Sequence, residues 1–230
     1  MEIIPVIDLL QGQVARAQRG DRSHYLPIQT SLCAGSNPVD IADALLELYP
    51  FKTLYIADLD AIQGTGSHAR IVHQLKQQHP EVTFWVDSGI HAPEQWEYHD
   101  MENIRCVVGS ESLETMPQYR RLDKALSPVL SLDFKQDNFI GPAALLEPDC
   151  WPENVICMTL NKVGSYEGAN VEILAQLLHQ SPRTKIYAAG GIRDANDLQQ
   201  LKTFGMAGAL IASSLHDGRL SASDIVQLMA

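Results

Sequence analysis

Short apolar segments that end in an acidic or small residue recur along the chain and predict its strands. The first, residues 2–9, reads EIIPVIDL, and a similar segment far downstream, residues 128–134, reads PVLSLDF. Runs of Ile, Val and Leu are typical of strands buried on both faces, as in parallel sheets covered by helices. We therefore expect two central strands that bring Asp8 and Asp133 to the same opening.

Six further apolar segments have the same character and alternate with amphipathic ones. These strands are predicted over residues 54–60, 82–86, 105–108, 155–159, 185–189 and 208–212. Helical periodicity is found between them over 38–50, 71–75, 93–98, 173–178, 198–201 and 221–228. Eight strand and helix units of near-equal spacing predict one (β/α)8 TIM barrel over residues 1–230.

The two halves of the chain resemble each other. Residues 86–90 (VDSGI) correspond to 188–192 (AAGGI), and residues 107–110 (VVGS) correspond to 210–213 (LIAS). Two short patterns at matched spacing favour duplication of a half-barrel. The predicted half-barrels cover about 1–126 and 127–230.

The connection after the first strand, residues 10–36, is long for a compact domain. A loop of this length is usually functional or has secondary structure of its own, such as a hairpin. It contains Arg16, which is a candidate for binding phosphate or carboxylate.

The overall charge narrows the range of partners. The chain has 17 Lys and Arg against 28 Asp and Glu, a formal net charge of -11. This balance provides no basic surface for nucleic acid, and no apolar run approaches the roughly 18 residues of a membrane span. No leader segment is recognised and the eight histidines show no metal-binding spacing. We expect a cytoplasmic protein without a metal that binds a small molecule; the oligomeric state stays open.

Small residues directly after strands suggest anion sites, since they let backbone N–H groups approach a phosphate. In barrels the phosphate often lies after the seventh and eighth strands, here at Gly190, Gly191 and Ser213. The other half-barrel offers a second candidate, next to the acidic Asp87. Its members are Ser88, Gly89, Gly109 and Ser110.

Asp8 and Asp133 are the candidates for proton transfer. Burial and mutual repulsion can raise the pKa of one carboxyl while another stays ionised, which places an acid and a base in one pocket. The alternative is that each accepts hydrogen bonds from loop amides. Of the pair Asp58 and Asp60, one is expected to face the barrel mouth and the other the helices.

These residues together resemble the histidine-biosynthesis barrel family, nearly from end to end of the chain. The opening of the chain resembles the isomerase branch of that family more than the cyclase branch. The similar stretches are residues 4–9, Gly12, Arg16, residues 20–21, 58–60, 89–90, 109–110, 131–133, 164–165 and 189–192. The order and spacing of these pieces are specific for the family.

The resemblance implies an intramolecular aldose–ketose isomerase that works without a cofactor. In this Amadori rearrangement of a phosphoribosylformimino-aminoimidazole carboxamide ribotide type of substrate, Asp133 would protonate the ring oxygen. Asp8 would then remove the C2 proton. Thr159, which lies next to the position of the family's functional threonine, is the third catalytic candidate. The turns at Gly20, Gly164 and Ser165 are expected to bind the substrate.

The chain also departs from the family pattern. The strand-six region, residues 158–165, reads MTLNKVGS, with Met158 at the position of the family's threonine and Val163 at that of an aspartate. These changes resemble a divergent branch found in methanogens and methylotrophs. An alternative is therefore another phosphorylated substrate, in methanopterin or methanofuran cofactor biosynthesis. A ligand-binding barrel without catalysis is a third interpretation.

Overall fold

The strands and helices alternate along most of the chain. The computed structural model describes residues 1–229, so the last position of the predicted domain lies outside the described residues. The strands are β1 (Glu2–Leu10), β2 (Gln13–Arg16), β3 (Leu26–Pro27), β4 (Thr53–Asp58), β5 (Thr83–Asp87), β6 (Ile104–Gly109), β7 (Val129–Lys135), β8 (Asn138–Ile140), β9 (Asn154–Thr159), β10 (Lys185–Ala189) and β11 (Gly208–Ile211). The helices are α1 (Pro38–Leu48), α2 (Leu59–Ile62), α3 (Ala69–Gln78), α4 (Met116–Leu126), α5 (Val171–Gln180), α6 (Ala195–Phe204), α7 (Ser213–His216) and α8 (Ala222–Met229).

Parallel pairing of neighbouring strands closes a barrel. Among residues 1–229, eight strands follow one another around the ring in the order β1, β4, β5, β6, β7, β9, β10 and β11. The ring closes because β1 pairs in parallel with β11, Glu2 opposite Gly208 and Pro5 opposite Ile211. The predicted (β/α)8 barrel is confirmed.

Alternation along each strand divides the core into two parts. One cluster fills the barrel interior and includes Ile4, Tyr55, Trp85 and Leu210. The larger cluster lies between the strands and the helices, where Ile7 and Ile56 pack against the inner faces of the helices. Because successive side chains of a strand point to opposite faces, this division decides which side chains at the strand ends enter the barrel mouth.

The start of α1 shows how the sequence determines a helix boundary. The Asn37 side chain accepts a hydrogen bond from the N–H of Val39 at 2.9 Å, and Pro38 occupies the first helical position. The cap satisfies a donor that the helix leaves free, and proline has no N–H to lose there. Within residues 1–229, no helix is long and apolar enough to cross a membrane.

Two predicted elements end differently in the structure. The strand expected to reach Asp60 stops at Asp58, because the Asp58 side chain caps α2 through the N–H of Ala61. The helix expected over 93–98 is only a 3-10 turn at Pro93–Gln95. Trp96 and Tyr98 are both buried and pack edge to face, an alternation that a helix would not allow.

The long connection after β1 contains a hairpin of its own. β2 pairs antiparallel with the end of β1, and β3 pairs antiparallel with β2. This hairpin brings the segment from Ala17 to Tyr25 over the barrel mouth, where it contributes to the site.

Candidate active site

A cavity of about 280 Å³ lies at the carboxyl ends of the barrel strands. Its apolar floor belongs to the inner cluster, with Val6, Ala57 and Leu210 among the lining residues. Its polar side chains come from Asp8, Arg22, Tyr25, Tyr55, Asp87, Glu111, Asp133, Lys135, Tyr166 and Ser213. The predicted carboxylate pair therefore shares one cavity.

Asp8 enters this cavity because of its place in β1. It follows Ile4 and Val6 on the inward face, and it lies beside Ala57 of β4. Burial raises the pKa of the Asp8 carboxyl to about 7, although the nearby positive charge of Arg22 works against this rise. A carboxyl with that pKa is able both to take and to give a proton near neutral pH.

Asp133 is buried at the end of β7 and forms four hydrogen bonds with three neighbouring groups. One carboxylate oxygen accepts the Ser131 hydroxyl at 2.7 Å, and the other accepts the Glu111 N–H at 3.0 Å and the Ser110 hydroxyl at 3.2 Å. The Asp133 N–H donates to the Ser110 oxygen at 2.9 Å. Burial and the Glu111 charge raise the pKa of the Asp133 carboxyl to about 7, against these hydrogen bonds.

Asp87 is a third carboxyl of the cavity, and no definite role for it is predicted from the sequence. In-register pairing places Asp8, Ala57 and Asp87 in one layer of the barrel. The carboxylate accepts the Gly89 N–H at 3.0 Å and the Tyr55 hydroxyl at 3.3 Å. Burial raises the pKa of Asp87 to about 6.

Arg22 and Glu111 complete the charged lining, and the sequence analysis missed both. They form an ion pair in which each side chain is about one-quarter exposed, 27% and 24%. Arg22 lies two residues beyond Gly20, in the long connection, so a search for cations near Gly20 and Asp21 would have found it. Glu111 directly follows the Gly109–Ser110 turn that was considered for an anion.

The predicted phosphate turn of the second half-barrel lines the cavity with Gly190, Gly191 and Ser213, as do Gly20 and Gly164. Gly190 has a φ of +101°, and a Cβ there would meet the Thr159 carbonyl oxygen at 2.5 Å. Only glycine fits this turn, which keeps the backbone open towards the cavity.

The first-half candidates lie apart from the cavity wall. Ser88, Gly89, Gly109 and Ser110 do not line it, and neither does Ser165. Ser110 is committed to Asp133, and the Gly89 N–H is committed to Asp87. The structure thus brings only one of the two predicted phosphate turns into the cavity.

Arg16 points away from the main cavity. Its guanidinium forms an ion pair with Asp217 at 2.6 Å and donates to the Tyr166 hydroxyl at 2.9 Å. It lines a much smaller space behind Asp8, shared with Ser213 and His216.

Thr159 lies on the outer face of β9, and Met158 lies on the inner face. Thr159 pairs with Phe134 and is buried without lining the cavity, whereas Met158 lines it. A one-residue difference along a strand exchanges the two faces. Position 158 therefore presents a thioether to any substrate.

The expectation that Asp58 or Asp60 faces the barrel mouth is wrong. Asp58 is fully buried on the outer side, where it accepts hydrogen bonds from the His68 N–H at 2.6 Å and from His68 Nδ1 at 2.7 Å. Asp60 lies in α2 and accepts the Gln11 N–H. His68 Nε2 accepts the Gly12 N–H at 2.8 Å, so this cluster fixes the turn after β1.

Within residues 1–229, no group of three or more His, Cys, Asp or Glu side chains is placed to hold a metal ion. The cavity's own chemistry is that of carboxyl groups. Proton transfer is the chemistry that these groups are able to perform.

Comparison with known proteins identifies relatives along almost the whole chain. A family profile described as Histidine biosynthesis protein matches residues 2–147 and 149–221. An uncharacterized protein of Methanocaldococcus jannaschii is 30% identical over 236 residues, 98% of each chain. Two imidazole-4-carboxamide isomerases, whose names contain two 5-phosphoribosyl groups, are each 28% identical. That of Campylobacter concisus aligns over 97% of this chain and 98% of its own, and that of Listeria innocua over 99% and 98%.

Proposed function

Because this chain belongs to the histidine-biosynthesis family, we propose that its cavity catalyses an aldose–ketose isomerisation of a phosphorylated aminosugar. The observation that carries the proposal is the pair of carboxyls, Asp8 and Asp133, in one cavity with pKa values raised to about 7. Groups with pKa values near the working pH are the most effective in general acid–base catalysis.

Asp133 acts as the acid and Asp8 as the base in this Amadori rearrangement. The protonated Asp133 gives its proton to the ring oxygen as the bond from C1 to that oxygen breaks, which leaves an open-chain Schiff base. The ionised Asp8 takes the C2 proton. The electron pair of the C2–H bond forms a C1–C2 double bond as the C1–N double-bond pair returns to the nitrogen. Protonation at C1 and loss of the O2 proton give the aminoketose, so no oxidant is consumed.

The turns at Gly190, Gly191 and Ser213 hold the substrate's phosphate. They line the cavity with Gly20 and Gly164 and carry no acidic side chain. Backbone at tight turns after barrel strands is suited to anions. Thr159 has a positioning role here, since its carbonyl oxygen lies where a Cβ on residue 190 would stand and therefore requires glycine in this turn.

The test is solvent deuterium exchange at C2 by purified protein on a monophosphorylated aminoaldose, together with rescue of a histidine auxotroph that lacks the isomerase. We expect wild-type protein to exchange the C2 proton, and rescue of growth decides whether the substrate is that of histidine synthesis. Asp8→Asn and Asp133→Asn should each lose about 10²–10⁴-fold in rate. Asp100→Asn, an exposed carboxylate outside the cavity, should change nothing. Full exchange activity in Asp8→Asn would disprove the mechanism.

A second candidate keeps the carboxylates but changes the substrate. It is favoured by Met158, which lines the cavity where the family resemblance implies a threonine. The enzyme would then act on another phosphorylated compound outside histidine synthesis, as in one-carbon cofactor formation. Folded protein that fails to rescue growth but binds phosphate esters would support it. Binding of every tested ester without any proton exchange would instead support a ligand-binding barrel.

A further inference from the structure

The cavity has one end suited to phosphate and one that is not. We infer that Asp87 is a specificity-determining residue that fills the first-half anion turn with its own carboxylate. The substrate would then carry one phosphate and, at its other end, an uncharged or cationic group. This inference rests on the proposed function, which places a phosphorylated substrate in the cavity.

The Gly89 N–H is the donor that an anion on this turn would need. Asp87 already accepts it at 3.0 Å and also accepts the Tyr55 hydroxyl at 3.3 Å. A phosphate here would have to displace a carboxylate and lie beside its charge. Like charges at such separations repel strongly in a partly buried site.

The position of the turn gives an independent reason. The turn packs against the C-terminal end of α2, where a Cβ added to Gly89 would meet the Cα of Ile62 at 2.7 Å. Ser88 and Gly89 do not line the cavity, whereas Gly190 and Gly191 at the equivalent turn do. The first-half turn therefore lies outside the cavity wall, and the Asp87 carboxylate stands between it and the cavity.

The charges of the cavity are segregated between its two ends. Among the described lining residues, the carboxyl groups belong to the ends of β1, β5 and β7 and to the turn after β6, and none belongs to β10, β11 or the turns that follow them. The cations of the acidic end are Arg22 and Lys135, and Arg22 is paired with Glu111. Three carboxyl groups, those of Asp87, Glu111 and Asp133, thus lie with two cations at this end, which suits a group that forms hydrogen bonds without a negative charge.

The isomerase relatives provide a contrast. Their names describe a compound with two phosphoribosyl groups. With Asp87 in this position, a compound of that kind would place its second phosphate against a carboxylate. The inference therefore separates this chain's substrate from theirs by charge at one end.

The experiment compares the dissociation constants of two probes, ribose 5-phosphate and ribulose 1,5-bisphosphate, by calorimetry. Wild-type protein should bind the monophosphate at least as tightly as the bisphosphate. Asp87→Ser frees the Gly89 N–H and removes the charge, so it should bind the bisphosphate at least tenfold more tightly than wild type does. Its affinity for the monophosphate should change less than threefold.

Asp87→Asn removes the charge but leaves an amide oxygen that still accepts the Gly89 N–H. Its affinity for the bisphosphate should therefore increase less than that of Asp87→Ser. This second variant also keeps the test valid if Asp87→Ser does not fold. Asp100→Ser, at an exposed position, is the control. A tenfold preference of wild type for the bisphosphate would overturn the inference, as would an unchanged preference in both Asp87 variants.

The two proposals fail in different ways. If neither probe binds any form of the protein, the phosphate site of the proposed function is wrong and the inference falls with it. If wild type binds both probes and prefers the bisphosphate, only the inference is wrong. Loss of proton exchange with intact probe binding would instead count against the isomerase mechanism alone.

Discussion

Two carboxyl groups should control how the rate depends on pH. Asp8 must be ionised to act as base and Asp133 protonated to act as acid, and each has a pKa of about 7. We expect a bell-shaped kcat/KM profile with its maximum near pH 7 and a fall of about tenfold per pH unit far from it. A flat profile between pH 6 and 8 would contradict these roles.

Arg22 should set the position of that profile. Its positive charge lowers the pKa values of Asp8 and Asp87, and its ion pair neutralises Glu111, whose charge raises the pKa of Asp133. In Arg22→Met both limbs should therefore move to higher pH, by about 0.5–1 unit. Arg19→Met, which removes an exposed arginine, should leave the profile unchanged. A shift to lower pH would refute the assignment.

Asp8 should also weaken the fold at alkaline pH. Burial raises its pKa in the folded state from 3.8 to about 7. The stabilisation from proton binding is therefore complete below pH 4 and is lost as the pH rises through 7. The unfolding free energy of Asp8→Asn minus that of wild type should therefore be about 2 kcal/mol larger at pH 9 than at pH 5, a value that allows for the partial exposure of Asp8. Urea denaturation of both proteins at pH 5 and pH 9 measures these free energies. An equal difference between variant and wild type at the two pH values would refute the prediction.

Residue-level prediction succeeded where the strand pattern was unambiguous. Asp8 and Asp133 lie in strands whose inward face follows from alternation, and both line the cavity. Their roles stay predictions. Thr159 and Met158 differ by one position, and only the register of β9 against β7 decides which of them faces inward. Arg22 comes from an irregular segment, for which side-chain direction has no periodic signal.

At the scale of elements, the turn after β1 depends on a buried histidine. His68 is held by Asp58 and in turn accepts the Gly12 N–H. In His68→Ala the buried Asp58 carboxylate and the Gly12 N–H both lose a partner, so unfolding free energy should fall by about 2–4 kcal/mol. Urea denaturation measures the loss. His99→Ala changes an exposed residue and is the control, so its unfolding free energy should fall by less than about 0.5 kcal/mol.

The turn after β10 should be intolerant of a side chain. Gly190→Ala would bring a Cβ to 2.5 Å from the Thr159 carbonyl oxygen at a φ of +101°, so the turn must shift. We expect at least a tenfold loss of affinity for ribose 5-phosphate, measured by calorimetry. Gly205→Ala is the matched control, because its φ is also positive, at +90°, but a Cβ there has open space and lies outside the cavity. It should lose stability but keep the affinity.

Element prediction failed where tertiary contacts override local pattern. The 93–98 segment contains a proline start typical of a helix, yet packing of Trp96 against Tyr98 keeps it extended. The 54–60 segment remains apolar past Asp58, yet capping by that side chain ends the strand. Both outcomes depend on neighbours in space that periodicity does not reveal.

For the whole molecule, the net charge of -11 should oppose the approach of anionic ligands. Salt screens repulsion between exposed charges of like sign, so the association rate of ribose 5-phosphate should rise about two- to five-fold from 10 to 200 mM KCl. Stopped-flow measurement with unphosphorylated ribose as the control tests this. A rate that falls with salt would indicate a locally positive entrance.

The barrel as a whole could be predicted because eight regular strand and helix units have few other ways to bury both faces of every strand. Contacts between loops that are distant in the sequence could not be predicted in this way, because loops have no regular pattern. The ion pair between Arg16 and Asp217 joins residues 201 positions apart, and it turns Arg16 away from its predicted role at the phosphate. The half-barrel duplication stays a prediction.

The pairing of β1 with β11 also has a consequence for biosynthesis on the ribosome. Residues 2–5 find their partners only at residues 208–211, which are translated long after them. Until then the nascent sheet has two open edges that can pair with other chains. A stalled or prematurely terminated polypeptide that lacks β11 would therefore expose such an edge to chaperones and proteases.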